Sequence, residues 1–116
     1  MESNFKVILR DYFGSESSFL KWEEGCPVIP VAVQVSRNRE TSEEHLQLRF
    51  RNISAKVVEE FAWQAVVTFD DGTTEEVGDR YLDADIAPGG VYGIKPIVLT
   101  GVKTSGVEVR ILDAES

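Results

Sequence analysis

The stretch FAWQAVVTFDDGT, residues 61–73, decides the fold. Read with the residues before it, it offers two periods. Val57, Phe61 and Ala65, and likewise Val58, Ala62 and Val66, recur at helical spacing. Phe61, Trp63, Ala65, Val67 and Phe69, however, alternate without a break, and the run ends in Asp70-Asp71-Gly72, an aspartate-glycine hairpin signal for which a helix has no use. The segment is a strand, with its aromatic and aliphatic odd positions facing a core.

The same period of two spreads in both directions. Upstream, HLQLRFRNIS (45–54) puts Leu46, Leu48 and Phe50 on one face and Gln47, Arg49 and Arg51 on the other. Earlier still, VIPVAVQVS (28–36) places Ile29, Val31, Val33 and Val35 in phase, and Pro30, lacking an amide donor, calls for an edge position or a bulge. The polar RNRETSEEH (37–45) reads as a loop. Downstream, TTEEV and RYLDADI read as two short extended pieces, the second carrying Tyr81 and Leu82 inward or across an edge. Pro88-Gly89-Gly90 is a turn, and VYGIKPIVL and GVEVRIL are strands, the last with Val107, Val109 and Ile111 facing one way.

Six or seven short strands with turns about every ten residues, and no convincing helix in the body, give an all-β, antiparallel two-sheet β-sandwich over residues 27–113. Residues 1–26 form an N-terminal arm, extended or with a short helix in GSESSFLKWE. The expected core is Ile29, Val31, Val33, Val35, Leu46, Leu48, Phe50, Phe61, Trp63, Ala65, Val67, Phe69, Val107, Val109 and Ile111.

At 116 residues the chain is long enough to bury one core without disulfide or metal. Its formal net charge of -8 is unevenly spread: Glu59 to Asp85 holds nine acids against the single base Arg80, while the remainder is balanced. Such a field opposes nucleic acid and anionic membranes. Charges at Glu2, Lys6, Arg10, Asp11 and Glu16 interrupt any signal-peptide or membrane-length apolar run, and a lone cysteine suits a reducing cytoplasm.

The order LQLRFRNIS, then FDDG, then IAPGG resembles the small bacterial immunoglobulin-like domains of the FxLYD type and related families, across about residues 27–113. That resemblance implies an immunoglobulin-like form of the same β-sandwich, no catalytic residue, and an accessory or interaction role.

The chemistry-bearing residues point the same way. Cys26 beside Glu23 and Glu24 is a blunted thiol that marks a strand start rather than a nucleophile, and His45, the sole histidine, reads as an exposed loop residue. No cofactor and no enzyme activity are expected. Arg49 and Arg51 project from one face, with Arg37 and Arg39 in the adjacent loop, as a surface for an acidic protein partner or a second copy. The alternative is a ligand-binding sandwich that holds a sugar on Tyr81, Tyr92 and Trp22, or calcium on Asp79, Asp83 and Asp85. The Asn52-Ile53-Ser54 sequon reads as turn chemistry.

Overall fold

In the computed structural model, residues 5–12, 20–21, 26–101 and 103–115 are described, and they form nine strands and no helix. These are β1 (Phe5–Tyr12), β2 (Leu20–Lys21), β3 (Val28–Asn38), β4 (Glu44–Asn52), β5 (Val58–Phe69), β6 (Thr74–Ile86), β7 (Val91–Gly93), β8 (Ile97–Val98) and β9 (Thr104–Glu115). One sheet runs β1-β3-β4-β7, with β8 also on the outer side of β4; the other runs β2-β9-β5-β6. Every pairing is antiparallel except the short β2–β9 contact. The expected antiparallel sandwich is thus the fold.

The inward residues of the two sheets meet as their alternation dictates. Val33, Val35, Leu46, Leu48 and Phe50 from the first sheet bury against Phe61, Trp63, Ala65, Val67, Phe69, Val107, Val109 and Ile111 from the second. Phe50 stands at the centre, its ring 4.9 Å from Phe61 and 5.8 Å from Trp63, both tilted. Removing a buried side chain of this size costs about 3–5 kcal/mol, so this trio alone anchors one sheet on the other.

Five details differ from the sequence reading. Val31 is half-buried rather than core, because β3 carries a bulge between Pro30 and Ala32 that turns Val28 and Pro30 inward ahead of it. Ile29 is buried but lies outside the central cluster. TTEEV and RYLDADI are one strand, β6, bent by two register shifts against β5, while VYGIKPIVL is interrupted at residues 94–96 into β7 and β8. The arm is a full sheet member over Phe5–Tyr12, paired along β3, so the sandwich does not begin at residue 27. The helical turn considered for GSESSFLKWE falls, apart from Leu20–Lys21, outside the described residues, as does Trp22.

The two turns read from sequence form as expected. In the β5–β6 hairpin, Gly72 takes φ 86° and its amide donates to Phe69 O at 2.9 Å, while Asp71 Oδ1 accepts from the Thr73 amide and hydroxyl at 2.9 and 2.6 Å. Those two Thr73 bonds, the hydroxyl's first, hold the Asp71 carboxyl below the usual aspartate range. Gly89, φ 76°, completes the turn after Pro88.

Candidate functional site

β4 is fixed at both ends by buried polar side chains. At its start Glu44 is fully buried; its carboxylate accepts from Arg37 Nε at 3.1 Å, from the Thr104 amide at 2.8 Å and from the Lys103 amide. Burial alone pushes the Glu44 pKa up, but the amides of Thr104 and Lys103 and the Arg37 guanidinium outweigh it and hold the carboxyl below the usual glutamate range. At the far end Asn52, also fully buried, donates from Nδ2 to Lys56 O (2.7 Å) and Ile86 O (2.8 Å) and accepts at Oδ1 from the Ser54 amide (2.8 Å) and hydroxyl (2.7 Å). The sequon asparagine is therefore an internal brace.

Between these braces β4 turns His45, Gln47, Arg49 and Arg51 outward, and here the first sheet opens into a trough of about 450 Å³. Its construction follows from register. Arg10 on β1 lies opposite Gln34 on β3, which lies opposite Gln47 on β4. Arg10 Nε and Nη2 donate to Gln34 Oε1 at 3.1 and 2.9 Å, which orients the Gln34 amide to donate to Gln47 Oε1 and Ser36 Oγ, each at 3.2 Å. Gln47 thus has its carbonyl satisfied and its NH₂ left to serve the trough. On the other side Arg49 faces Gly93, which has no side chain to fill the space, and the chain then departs through Ile94 and Lys95 before rejoining β4 at β8.

The trough is a donor surface. Arg10, Arg49 and Lys95 line it and, among the described residues, no carboxylate does, although the chain as a whole is strongly acidic. A second depression of about 320 Å³, lined by Phe5, Gln34, Ser36, His45, Gln47 and Pro96, shares Gln34 and Gln47 with it, so the two run into one channel across the sheet. His45 is half-buried there, its ring 4.8 Å from Phe5 and its Nε2 2.7 Å from Glu43 Oε1. A channel of this volume, rich in charged donors at one end and with the Phe5 and Pro96 rings among polar side chains at the other, suits an extended anionic ligand that also carries a ring.

Of the residues singled out from sequence, Arg49 lines the trough and Arg51 sits two positions along the same face, opposite Val91. Arg37 does not join them: it belongs to β3 rather than the loop, and its guanidinium is turned toward Glu44. Arg39 is in the exposed β3–β4 loop. Tyr92 faces inward opposite Phe50, with its ring edge-on to Phe61 at 6.2 Å, whereas Tyr81 is 81% exposed on β6 in the other sheet; they form no common platform. Asp79 accepts from Trp63 Nε1 at 3.0 Å, Asp83 lies opposite Glu60, and Asp85 sits at a left-handed backbone position. The bulges of β6 spread these carboxylates, and among the described residues no three acids, histidines or cysteines come together to hold a metal ion.

Cys26, half-buried, donates from Sγ to Val28 O at 3.0 Å where β3 begins. Val28 pairs with Asn52, seven residues along β4 from His45, or about 23 Å at ~3.3 Å per residue, so thiol and imidazole do not meet. The residues that sequence reading missed are Arg10, Gln34, Gln47 and Lys95. Gln34 and Gln47 were visible as the polar phase of their strands, but which strands are neighbours was not.

Among the described residues no helix is long and apolar enough to cross a membrane. No family model, curated protein or solved structure matches the chain.

Proposed function

We propose that this protein is a non-enzymatic binding module whose first sheet receives an acidic, extended segment of a protein partner along the channel centred on Gln47 and Arg49. One observation carries the reading: a trough that presents Arg49 and Lys95, with no carboxylate among the described residues that line it, on a chain of net charge -8. Keeping cations together on an acidic protein resists the overall field, and the same field that repels polyanions in general leaves this face as the place where a carboxylate is welcomed. Strand-borne positions hold such groups more rigidly than loops do, which limits the ordering cost of binding. The likeness to FxLYD-type domains supports an accessory role, and the half-buried single thiol suits a reducing, cytoplasmic setting.

The test is titration of the ¹⁵N-labelled protein with a fluorescein-free hexaglutamate peptide and a neutral hexaglutamine control. Shifts confined to β1, β3, β4 and β7, weakening as salt rises and lost in Arg49→Gln/Lys95→Gln, are the expected result. Equal binding of the neutral peptide, or shifts mapping to the second sheet, overturns the reading.

A further inference from the structure

We infer that the acidic segment is strand β6 of a second copy of this chain, docked across the channel so that molecules associate head to tail. This rests on the preceding reading of the channel and names its occupant.

β6 is the edge of the second sheet, paired among the described strands with β5 only. Its acids Glu75, Glu76, Asp79, Asp83 and Asp85 stand against Arg80 alone. Glu75 is engaged by the Thr100 amide and hydroxyl, and Asp79 by Trp63, leaving Asp83 and Asp85 exposed toward the strand's end. Asp83 lies directly opposite Glu60, so the cross-strand neighbour of this exposed acid is itself an acid. The bulge between the Phe61 and Trp63 pairings lifts Tyr81 out of the sheet to 81% exposure, a large aromatic with no role in its own core.

The spacing fits the channel. From Tyr81 to Asp85 is four residues, drawn in by the left-handed kink at Asp85 to less than the ~13 Å of a regular strand, and from His45 in the depression beside Phe5 to Arg49 in the basic trough is also four, about 13 Å at ~3.3 Å per residue. A docked β6 therefore sets Tyr81 against Phe5, His45 and Pro96 while Asp83 and Asp85 reach Arg49 and Lys95. Donor and acceptor surfaces lie on different sheets of one molecule, so the contact is heterologous and repeats from copy to copy instead of closing on itself as a twofold dimer.

Sedimentation velocity on the full chain tests this, from roughly 10 to 500 µM, at low and high salt. The expected result is a mass that grows with concentration at low salt and returns to monomer at high salt. Arg49→Gln/Lys95→Gln and Asp83→Asn/Asp85→Asn should each remain monomeric alone; asparagine keeps the left-handed backbone that position 85 adopts. Mixed in equal amounts they should give a 1:1 complex that grows no further, since one intact trough meets one intact strand and both outer ends are disabled. Tyr81→Ser should weaken association at least tenfold without moving the thermal midpoint. A wild type that stays monomeric at every concentration, or an Asp83→Asn/Asp85→Asn variant that still assembles, overturns the proposal; hexaglutamate binding by a strictly monomeric wild type would sink it while leaving the preceding reading intact.

Discussion

Replacing Glu44 by glutamine tests how the sandwich is held together. The side chain keeps its size, but one of its two oxygens becomes an NH₂, and both oxygens now face donors: Oε2 receives Arg37 and the Lys103 amide, Oε1 the Thr104 amide. Whichever way the glutamine sits, a donor meets a donor in a fully buried place. Breaking one side of a buried, hydrogen-bonded charge costs about 3–5 kcal/mol, a large part of the ~5–15 kcal/mol that a domain possesses. At about 4 °C per kcal/mol for a chain of this length, the thermal midpoint should fall by roughly 12–20 °C. The carboxyl titrates lower in the folded than in the unfolded chain, so its stabilisation is complete above the ordinary value of 4.5 and is lost as pH falls through the folded value. Urea unfolding of wild type and Glu44→Gln at several pH values should therefore show the gap between them narrowing as pH falls below 4.5. The neighbouring, exposed Glu43→Gln should stay within about 1 kcal/mol of wild type. A Glu44→Gln protein within about 1 kcal/mol of wild type at neutral pH, or a gap that does not change with pH, would refute the reasoning.

Three further outcomes are expected. Asn52→Ala removes four side-chain hydrogen bonds and takes the side-chain donor from the Ile86 carbonyl, while Lys56 O keeps the Ser54 hydroxyl, so urea unfolding should show a loss of about 2–4 kcal/mol. Gly93→Val adds a side chain where a Cβ meets nothing within 4 Å, on the trough wall opposite Arg49; the thermal midpoint should hold or rise, by about 0.5–1 kcal/mol of stability, while hexaglutamate affinity falls at least tenfold. Gly78→Ala should destabilise by more than about 1 kcal/mol, read by the same melt, because its Cβ would lie 2.3 Å from the Trp63 carbonyl oxygen at the start of the β6 bulge.

The parts of the fold legible in the sequence were those that local period and turn chemistry control. Leu46, Leu48 and Phe50, the alternation from Phe61 to Phe69, and the Asp71-Gly72 and Pro88-Gly89 turns all express the physics of their own few residues. What was not legible depends on neighbours distant in sequence. Glu44 looks like one more acid in RNRETSEEH, and its burial follows only from the Lys103–Thr104 amides, some sixty positions on, turning to meet it. Arg37 reads as a free surface charge until that same carboxylate claims it. The trough is likewise a product of pairing: Arg10, Gln34 and Gln47 form a row only because β1 and β4 flank β3 in one register, and the arm carrying Arg10 has too little period to announce its partner.

Register links the buried braces to the open face. Glu44 and Asn52 lie eight residues apart on the inward phase of β4, and a slip of one residue would carry both into water and turn Gln47 and Arg49 into the core. Apolar alternation penalises such a slip through Leu46, Leu48 and Phe50, yet a two-residue slip would keep those three inward at modest cost. The braces remove that second option, because a two-residue shift separates Glu44 from the Thr104 amide and Asn52 from the Ile86 carbonyl, orphaning buried groups at both ends at once. The outward ladder from Arg10 through Gln34 to Gln47 is thus set by two polar residues that never touch the ligand face. Variants at Glu44 or Asn52 that remain folded should consequently lose peptide affinity along with stability, whereas core truncations such as Val107→Ala should lose stability alone.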